Sequence, residues 1–315
     1  MSDAQVSPAV KVAAPAQTTR EPKQRPKMKD SWWRHVVGIV AVCIALFPVV
    51  YIVSSAFNTS NNLSSAQIIP RHMTLNNFSE LLHNNVIGNT GAKQDVPYIH
   101  WFINSMIVAG VTAFLTTVLG ALAAYAFSRF RFKGRRLGML MLLLIQMFPQ
   151  FVAVAAIYLI VYNLGGIFPA FGLDNLSAVI IVYLGGALGV QTWLLKGFFD
   201  TIPTELDESA RVDGATASQI FWGIVLPLAA PVLAVVALIS FVFTLNEFVI
   251  ASALLQSTNK LTLPVGMYHL ISDQYDKVWG AFAAGALLAA VPVALLFMFL
   301  QRWIVSGLTA GSVKG

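Results

Sequence analysis

The chain is 315 residues long, enough for two or three soluble domains, yet 57% of it is hydrophobic, only 11% is charged and the mean hydropathy is +0.71. Such values exclude an ordinary soluble protein and make lipid the main solvent. Twenty Lys and Arg against 14 Asp and Glu leave a net charge of +6, but the basic residues flank apolar runs instead of forming a stripe with aromatics, which points to a membrane surface and not to nucleic acid.

Residues 1–34 are polar, rich in Pro, Ala and Gln, and carry seven positive charges from Lys11 to Arg34 without apolar periodicity. They read as a disordered cytoplasmic tail. A signal peptide needs an apolar stretch of about 7 to 15 residues near the start; the first one here begins at Val36 and runs 22 residues, so it stays as a helix. The single cysteine, Cys43, lies within it and excludes an internal disulfide or a multi-cysteine metal site.

About 20 apolar residues at ~1.5 Å each cross the ~30 Å hydrocarbon layer. Six stretches qualify: Val36–Phe57, Phe102–Phe127, Leu137–Tyr162, Leu176–Leu195, Ile224–Leu245 and Trp279–Leu300, none of which contains Asp, Glu, Lys or Arg. A charge at a helix centre costs about 2.5 to 3.5 kcal/mol on the insertion scale, so this absence matters. Lys and Arg are retained on the cytoplasmic side, and their distribution sets orientation. Seven precede the first span, five lie in Arg129–Arg136, two in Lys196–Gly223 and two after the last span, whereas the alternate connections hold only Arg71, Lys93, Lys260 and Lys277. The expectation is an all-α polytopic membrane protein of six transmembrane helices with both termini cytoplasmic. Pro48, Pro149, Pro231 and Pro292 interrupt or start helices, and Gly185, Gly186, Ala187 and Gly189 make a small-residue patch that favours close helix packing.

The segment between the fourth and fifth spans, TELDESARVDGATASQIFWGIVLP over Thr204–Pro227, is the most informative. Thr204 with Asp207 three residues on predicts a capping box opening a short helix, whose early acids suit the helix dipole. Gly214 supplies a break, and a second short helix from about Ala215 leads into the fifth span at Pro227.

This pattern resembles permease subunits of binding-protein-dependent ABC importers, which carry EAA, three residues, G, nine residues, I, one residue, LP in the same loop. Glu208, Ala210, Gly214, Ile224, Leu226 and Pro227 match at that spacing, and only Ser209 departs, small for small. The resemblance implies the ABC importer permease fold, with a coupling segment over residues 201–223 that docks as helix, turn and helix into a cleft of a cytoplasmic ATPase. Glu208 would pair with a basic group there. The chain has no phosphate-cradling G-x-x-x-x-G-K-[ST] loop, so the resemblance assigns ATP and magnesium to a separate ATPase dimer, leaves this chain without a cofactor and makes it no enzyme.

Over nearly all of the chain after residue 34 the likeness is to the smaller permease of maltose importers, through AYAFSRFRF (Ala124–Phe132), QMFP (Gln146–Pro149), YLGG (Tyr183–Gly186), KGFFDTI (Lys196–Ile202) and the terminal QRWIVSGLTAGSVKG (Gln301–Gly315). It implies a transmembrane domain over 35–303 and a cytoplasmic tail over 304–315, in which Gly311, Ser312, Val313, Lys314 and Gly315 contact the ATPase. It also implies an extracytoplasmic sugar-binding protein, whose cleft a loop before the last span probes. Gln256–Asn259 and Ser272–Asp276 are the polar stretches there. Ser272, Asp273, Gln274, Tyr275 and Asp276 are preferred, because Tyr275 offers an apolar face with a polar tip.

Glu247, at the outer end of the fifth span, reads as an interfacial structural acid. His35, His72, His83, His100 and His269 show no paired spacing for a metal. A secondary transporter would place ionisable groups near the bilayer midplane, and these spans have none. The expectation is therefore a permease subunit in the bacterial cytoplasmic membrane, working with a second permease by alternating access on maltose or maltodextrin, with trehalose or another oligosaccharide as the alternative.

Overall fold

A computed structural model describes residues 32–59, 72–272 and 277–311. Contacts divide the chain at Pro48. In the first unit the described residues form the opening turns of α1 (Trp32–Ala56), whose apolar side chains, such as Ile44 at 68%, are exposed. The helix starts before the expected Val36, because Trp32, Trp33 and Arg34 hold no Pro or Gly to stop it.

From Val49 onward α1 ends and α2 (Asn76–Leu82) follows, with a two-residue hairpin, β1 (Val86–Ile87) against β2 (Lys93–Gln94). The central helix α3 (Tyr98–Arg129) is 32 residues long, or about 48 Å. It packs along α6 (Leu176–Phe199) and α10 (Ala230–Leu245). Between α3 and α6 come α4 (Arg135–Gln146) and α5 (Gln150–Ile167); between α6 and α10 come α7 (Thr204–Val212), α8 (Ala217–Ile220) and α9 (Leu226–Leu228). The chain then runs through α11 (Val249–Leu254) and α12 (Leu263–Ser272) to α13 (Trp279–Gly311).

Among the described residues four helices are long and apolar enough to cross a membrane: Trp32–Ala56, Tyr98–Arg129, Leu176–Phe199 and Trp279–Arg302. Two bent pairs bring the number to six if each counts as one span. The expected third span is broken by 102° between α4 and α5, and the fifth by 78° between the Ala217–Leu228 limb and α10. Pro149 and Pro231 explain both breaks: each lacks the N–H its helix would need, and its ring crowds the carbonyl four residues back. Ile224, Leu226 and Pro227 thus lie in the limb before the bend. By contrast, Pro48 and Pro292 sit inside uninterrupted helices, and α13 continues to Gly311 where a tail was expected from residue 304.

Among the described residues the core falls into three clusters, the smallest of them Ala56, Ala283 and Ala284. Of the larger two, the first gathers Trp101, Val179, Leu254, Leu263 and Leu270 at the α3 N-terminal end; the other gathers Ala124, Tyr125, Phe199, Ile220 and Phe221 at its C-terminal end. The connection from α11 to α12 belongs to the first cluster and is no loose loop. Trp101 is 1% exposed and donates from Nε1 to the Thr258 carbonyl at 2.6 Å. Asn104 donates to the Asn259 and Leu261 carbonyls, and the Leu263 N–H donates to Ser105.

Candidate functional site

At the C-terminal end of α3 the chain forms an exposed elbow. Asp213 ends α7 and Gly214 follows at φ +83°, a left-handed conformation that costs other L-residues about 1–2 kcal/mol. The Gly214 N–H donates to Arg211 O at 3.0 Å and the Ala215 N–H to Ala210 O at 2.9 Å, the paired bonds of a Schellman motif. Ala210 and Ala215 rest together on the cluster around Ile220 and Phe221. The spacing of Ala210 and Gly214 is thus a helix-stop rule, with a small residue inside and a glycine at the turn.

The entry to the elbow differs from expectation. Thr204 does not cap α7: Pro203 holds the N-cap position and offers no acceptor, and Asp207 turns inward instead of back toward Thr204. The capping box stands at the second helix, where the Gln219 N–H donates to Thr216 Oγ1 at 3.3 Å and the Thr216 N–H to Gln219 Oε1 at 2.8 Å. The helix then passes through a π turn at Phe221–Val225, in which the Leu226 N–H reaches Phe221 O.

Asp207 carries the weight of anchoring. Its Oδ2 lies 2.9 Å from Arg129 Nε at the end of α3, and both side chains are 5% exposed. The contact is between charges and is not an aligned hydrogen bond, since among the described residues Arg129 Nε has no hydrogen-bond partner. Arg129 also donates to Ile202 O at 2.9 Å, and Ser128 to Asp200 at 2.7 Å. Burial would raise the Asp200 carboxyl, but hydrogen bonds from Lys196 and Ser128 and the charges of Lys196 and Arg135 hold it below its ordinary range. While Asp207 faces the bundle, Glu208 and Ser209 face out, and Val212 beside the turn is 88% exposed. Such an apolar tip on a rigid elbow suits burial in another protein.

Of the other expected contacts, Gly311 is the last residue of α13, and Ser312, Val313, Lys314 and Gly315 lie outside the described residues. Ser272 ends α12 and donates to His269 O at 3.2 Å; Asp273, Gln274, Tyr275 and Asp276 lie outside the described residues. Gln256 and Ser257 are fixed by Asp174, whose carboxylate accepts both backbone N–H groups and the Ser257 hydroxyl. Burial would raise this carboxyl; hydrogen bonds from Ser257 and Gln256 and the Lys260 charge overcome that and hold it at about 2.

Midway along the bundle, α4, α6 and α10 enclose a cleft of about 320 Å³. Gln146, Tyr183, Gln191, Ser240, Thr244 and Glu247 bring polar groups to an otherwise apolar lining. Glu247 accepts from the Tyr183 hydroxyl and from the Ile250 and Ala251 N–H groups, the latter two at 2.8 and 3.1 Å. Its structural role is therefore that of a lid on the first turn of α11. The small-residue patch divides by function. A Cβ on Gly189 would meet Gln146 Nε2 at 2.8 Å and Leu142 O at 3.0 Å, so this glycine lets α4 approach α6; one on Gly185 would meet none of the described residues within 4 Å. Gly186 and Ala187 border the cleft. Sequence reasoning did not find this cleft, although Gln146 and Gln191 interrupting apolar runs were an available signal.

The bundle thus holds a mainly apolar cleft with a few polar groups and presents an exposed elbow at one end. The relation to known proteins is specific. The chain belongs to the family described as the binding-protein-dependent transport system inner membrane component, whose model matches residues 116–310. It is therefore a multi-pass membrane protein and a non-catalytic transport subunit. It is 40% identical over 280 residues to the galactooligosaccharides transport system permease protein GanQ of Bacillus subtilis (strain 168), covering 89% of this chain and 94% of that one. To the maltose/maltodextrin transport system permease protein MalG of Vibrio vulnificus (strain YJ016) it is 38% identical over 286 residues, 90% of this chain and 96% of the other. Among solved structures, a bacterial ABC transporter involved in the import of the acidic polysaccharide alginate shares the fold, with a TM-score of 0.70, 22% identity, and coverage of 88% of this chain and 98% of that chain.

Proposed function

We propose that the chain is one of two permease subunits of an ATP-driven importer that moves a neutral oligosaccharide, maltose or maltodextrin first, across the cytoplasmic membrane by alternating access. The observation that carries this reading is the elbow: Gly214 closes a Schellman turn that leaves Glu208 and Val212 exposed, while the buried Arg129–Asp207 pair ties the same helix to the bundle. Glu208, Ser209, Ala210, Gly214, Ile224, Leu226 and Pro227 are the coupling residues, docking into a partner ATPase dimer that holds ATP and magnesium. When that dimer closes, the 201–223 segment moves as a lever, and differential binding of ATP to the two states shifts the bundle between inward and outward openings.

Orientation follows charge. Arg129, Arg131, Lys133, Arg135 and Arg136, with Lys196 and Arg211, crowd the elbow end, against Lys93, Lys260 and Lys277 at the other, so the elbow end is cytoplasmic. The opposite end meets the sugar-binding protein through Ser272–Asp276, and Gly311–Gly315 extend the ATPase contact. Permeases named for galactooligosaccharides and for maltodextrins resemble the chain about equally, 40% against 38%, which supports short neutral sugar chains as the class.

The test is reconstitution with the cognate permease, ATPase and binding protein, comparing ATP-dependent uptake of maltotriose, a galactotriose and trehalose. Glu208→Ala and Gly214→Val are expected to insert normally, to lose ATPase in co-purification and to abolish uptake. Normal uptake with ATPase retained would overturn the coupling assignment, and absence of uptake for every sugar by the parent would overturn the substrate class.

A further inference from the structure

We propose that a second cleft, between the start of α4 and the end of α6, binds one anionic phospholipid, whose headgroup phosphate sits among Arg135, Arg136 and Lys196. The proposal needs the membrane-spanning fold and stands whichever sugar is carried.

This cleft has a volume of about 1000 Å³, at the upper end of ligand pockets, roughly 300–1,000 Å³. Its polarity changes along its length. α4 begins and α6 ends at the elbow end, so Arg135 and Arg136 come beside Lys196 and Asp200. Away from that end the walls are Leu140, Leu143, Trp193 and Leu194. From Arg135 to Leu143 the helix rises about 12 Å. A charged end and an apolar wall of that length match a lipid headgroup and the first part of its chains. Trp193 is half-exposed, as suits an indole at a membrane interface. Gly197 leaves the floor bare, since a Cβ there would meet none of the described residues within 4 Å.

The charges in the lining are out of balance, with three cations against the single acid Asp200. Lys196 is paired with Asp200 at 2.5 Å, and Arg135 acts on the same carboxylate through its charge. No ion pair joins Arg135 or Arg136 to any described residue. Both arginines stand in the first turn of α4, where the helix dipole favours anions; that turn holds no acid, and Gly134 before it offers no side-chain acceptor. A phosphodiester supplies the missing negative charge, and the planar guanidinium fork matches its oxygens. The orientation proposed above puts the cleft on the cytoplasmic side, where basic pockets between helices take phospholipid headgroups. A small soluble anion would leave the apolar walls unused, and an apolar helix of another subunit would leave the arginines without a counter-charge. An anionic lipid satisfies both ends.

The test uses the full-length chain, purified with the subunits that accompany it and stripped of lipid in detergent. It is titrated with dioleoyl phosphatidylglycerol, dioleoyl phosphatidylcholine or inorganic phosphate, and bound species are counted by native mass spectrometry. One phosphatidylglycerol per chain is expected, held more tightly than phosphatidylcholine and not displaced by phosphate. Arg136→Gln should weaken its binding about 5-fold and Arg135→Gln/Arg136→Gln about 25-fold, the worth of one and two cations at a membrane surface. Gly197→Phe should exclude the lipid with every charge in place. Equal retention of the two lipids, displacement by phosphate, or binding untouched by the arginine variants would overturn the site. So would an assembled protein that takes up no phosphatidylglycerol, because another subunit would then cover the groove.

Discussion

Replacing Asp207 with Asn keeps the shape of the elbow helix but strands the Arg129 guanidinium in a site where both partners are 5% exposed. At 2.9 Å and an effective dielectric of about 20, the lost attraction is about 6 kcal/mol. Desolvation of the two ions offsets most of it, so the intact pair is worth little net, yet breaking one side costs about 3–5 kcal/mol. The same loss is expected for Arg129→Met, which leaves the carboxylate buried. The double variant Arg129→Met/Asp207→Leu removes both charges and should return to within about 2 kcal/mol of the parent. Thermal unfolding in detergent of all four proteins measures the cycle, and limited proteolysis between Thr201 and Gly223 reports whether the elbow has come loose. Single variants within about 1 kcal/mol of the parent, or a double variant as damaged as either single one, would refute the view that a buried charge pair anchors this lever.

Two more expectations concern the opposite end. A Cβ on Gly266 would stand 2.1 Å from Trp101 Cδ2, and because Trp101 is buried and tied to Thr258 it cannot yield freely; Gly266→Ala should cost about 1–3 kcal/mol and red-shift tryptophan fluorescence, and an unchanged melt would show that the helices slide apart at no expense. The Asp174 carboxyl, at about 2 in the fold against an ordinary 3.8, stabilises the 256–260 turn in full above pH 4 and loses that contribution as the pH falls through 2. The melting difference between the parent and Asp174→Asn should therefore be largest at pH 5 and close by pH 2; a difference independent of pH would mean that hydrogen-bond shape and not charge holds the turn.

The amino-acid sequence by itself determined the lipid solvent, the positions of six apolar stretches and the elbow residues. Those signals are local: a run of uncharged side chains has to be helical in hydrocarbon, and a glycine four residues after an alanine stops a helix in one way. Even Gly214 could be read as a turn before its positive φ was seen. What the tertiary structure decided was every choice among partners. Asp207 had two possible uses, a cap for α7 or a charge for Arg129, and 77 residues of intervening chain separate Asp207 from Arg129, so only the packed bundle could choose. Pro149 and Pro231 marked the breaks, but the angles of 102° and 78° depend on what the limbs rest against. Gly185 and Gly189 looked alike in sequence, and only the position of Gln146 on α4 separates open space from a close contact. The cleft likewise needs three helices to exist, because a polar side chain on a single apolar helix does not say what it faces.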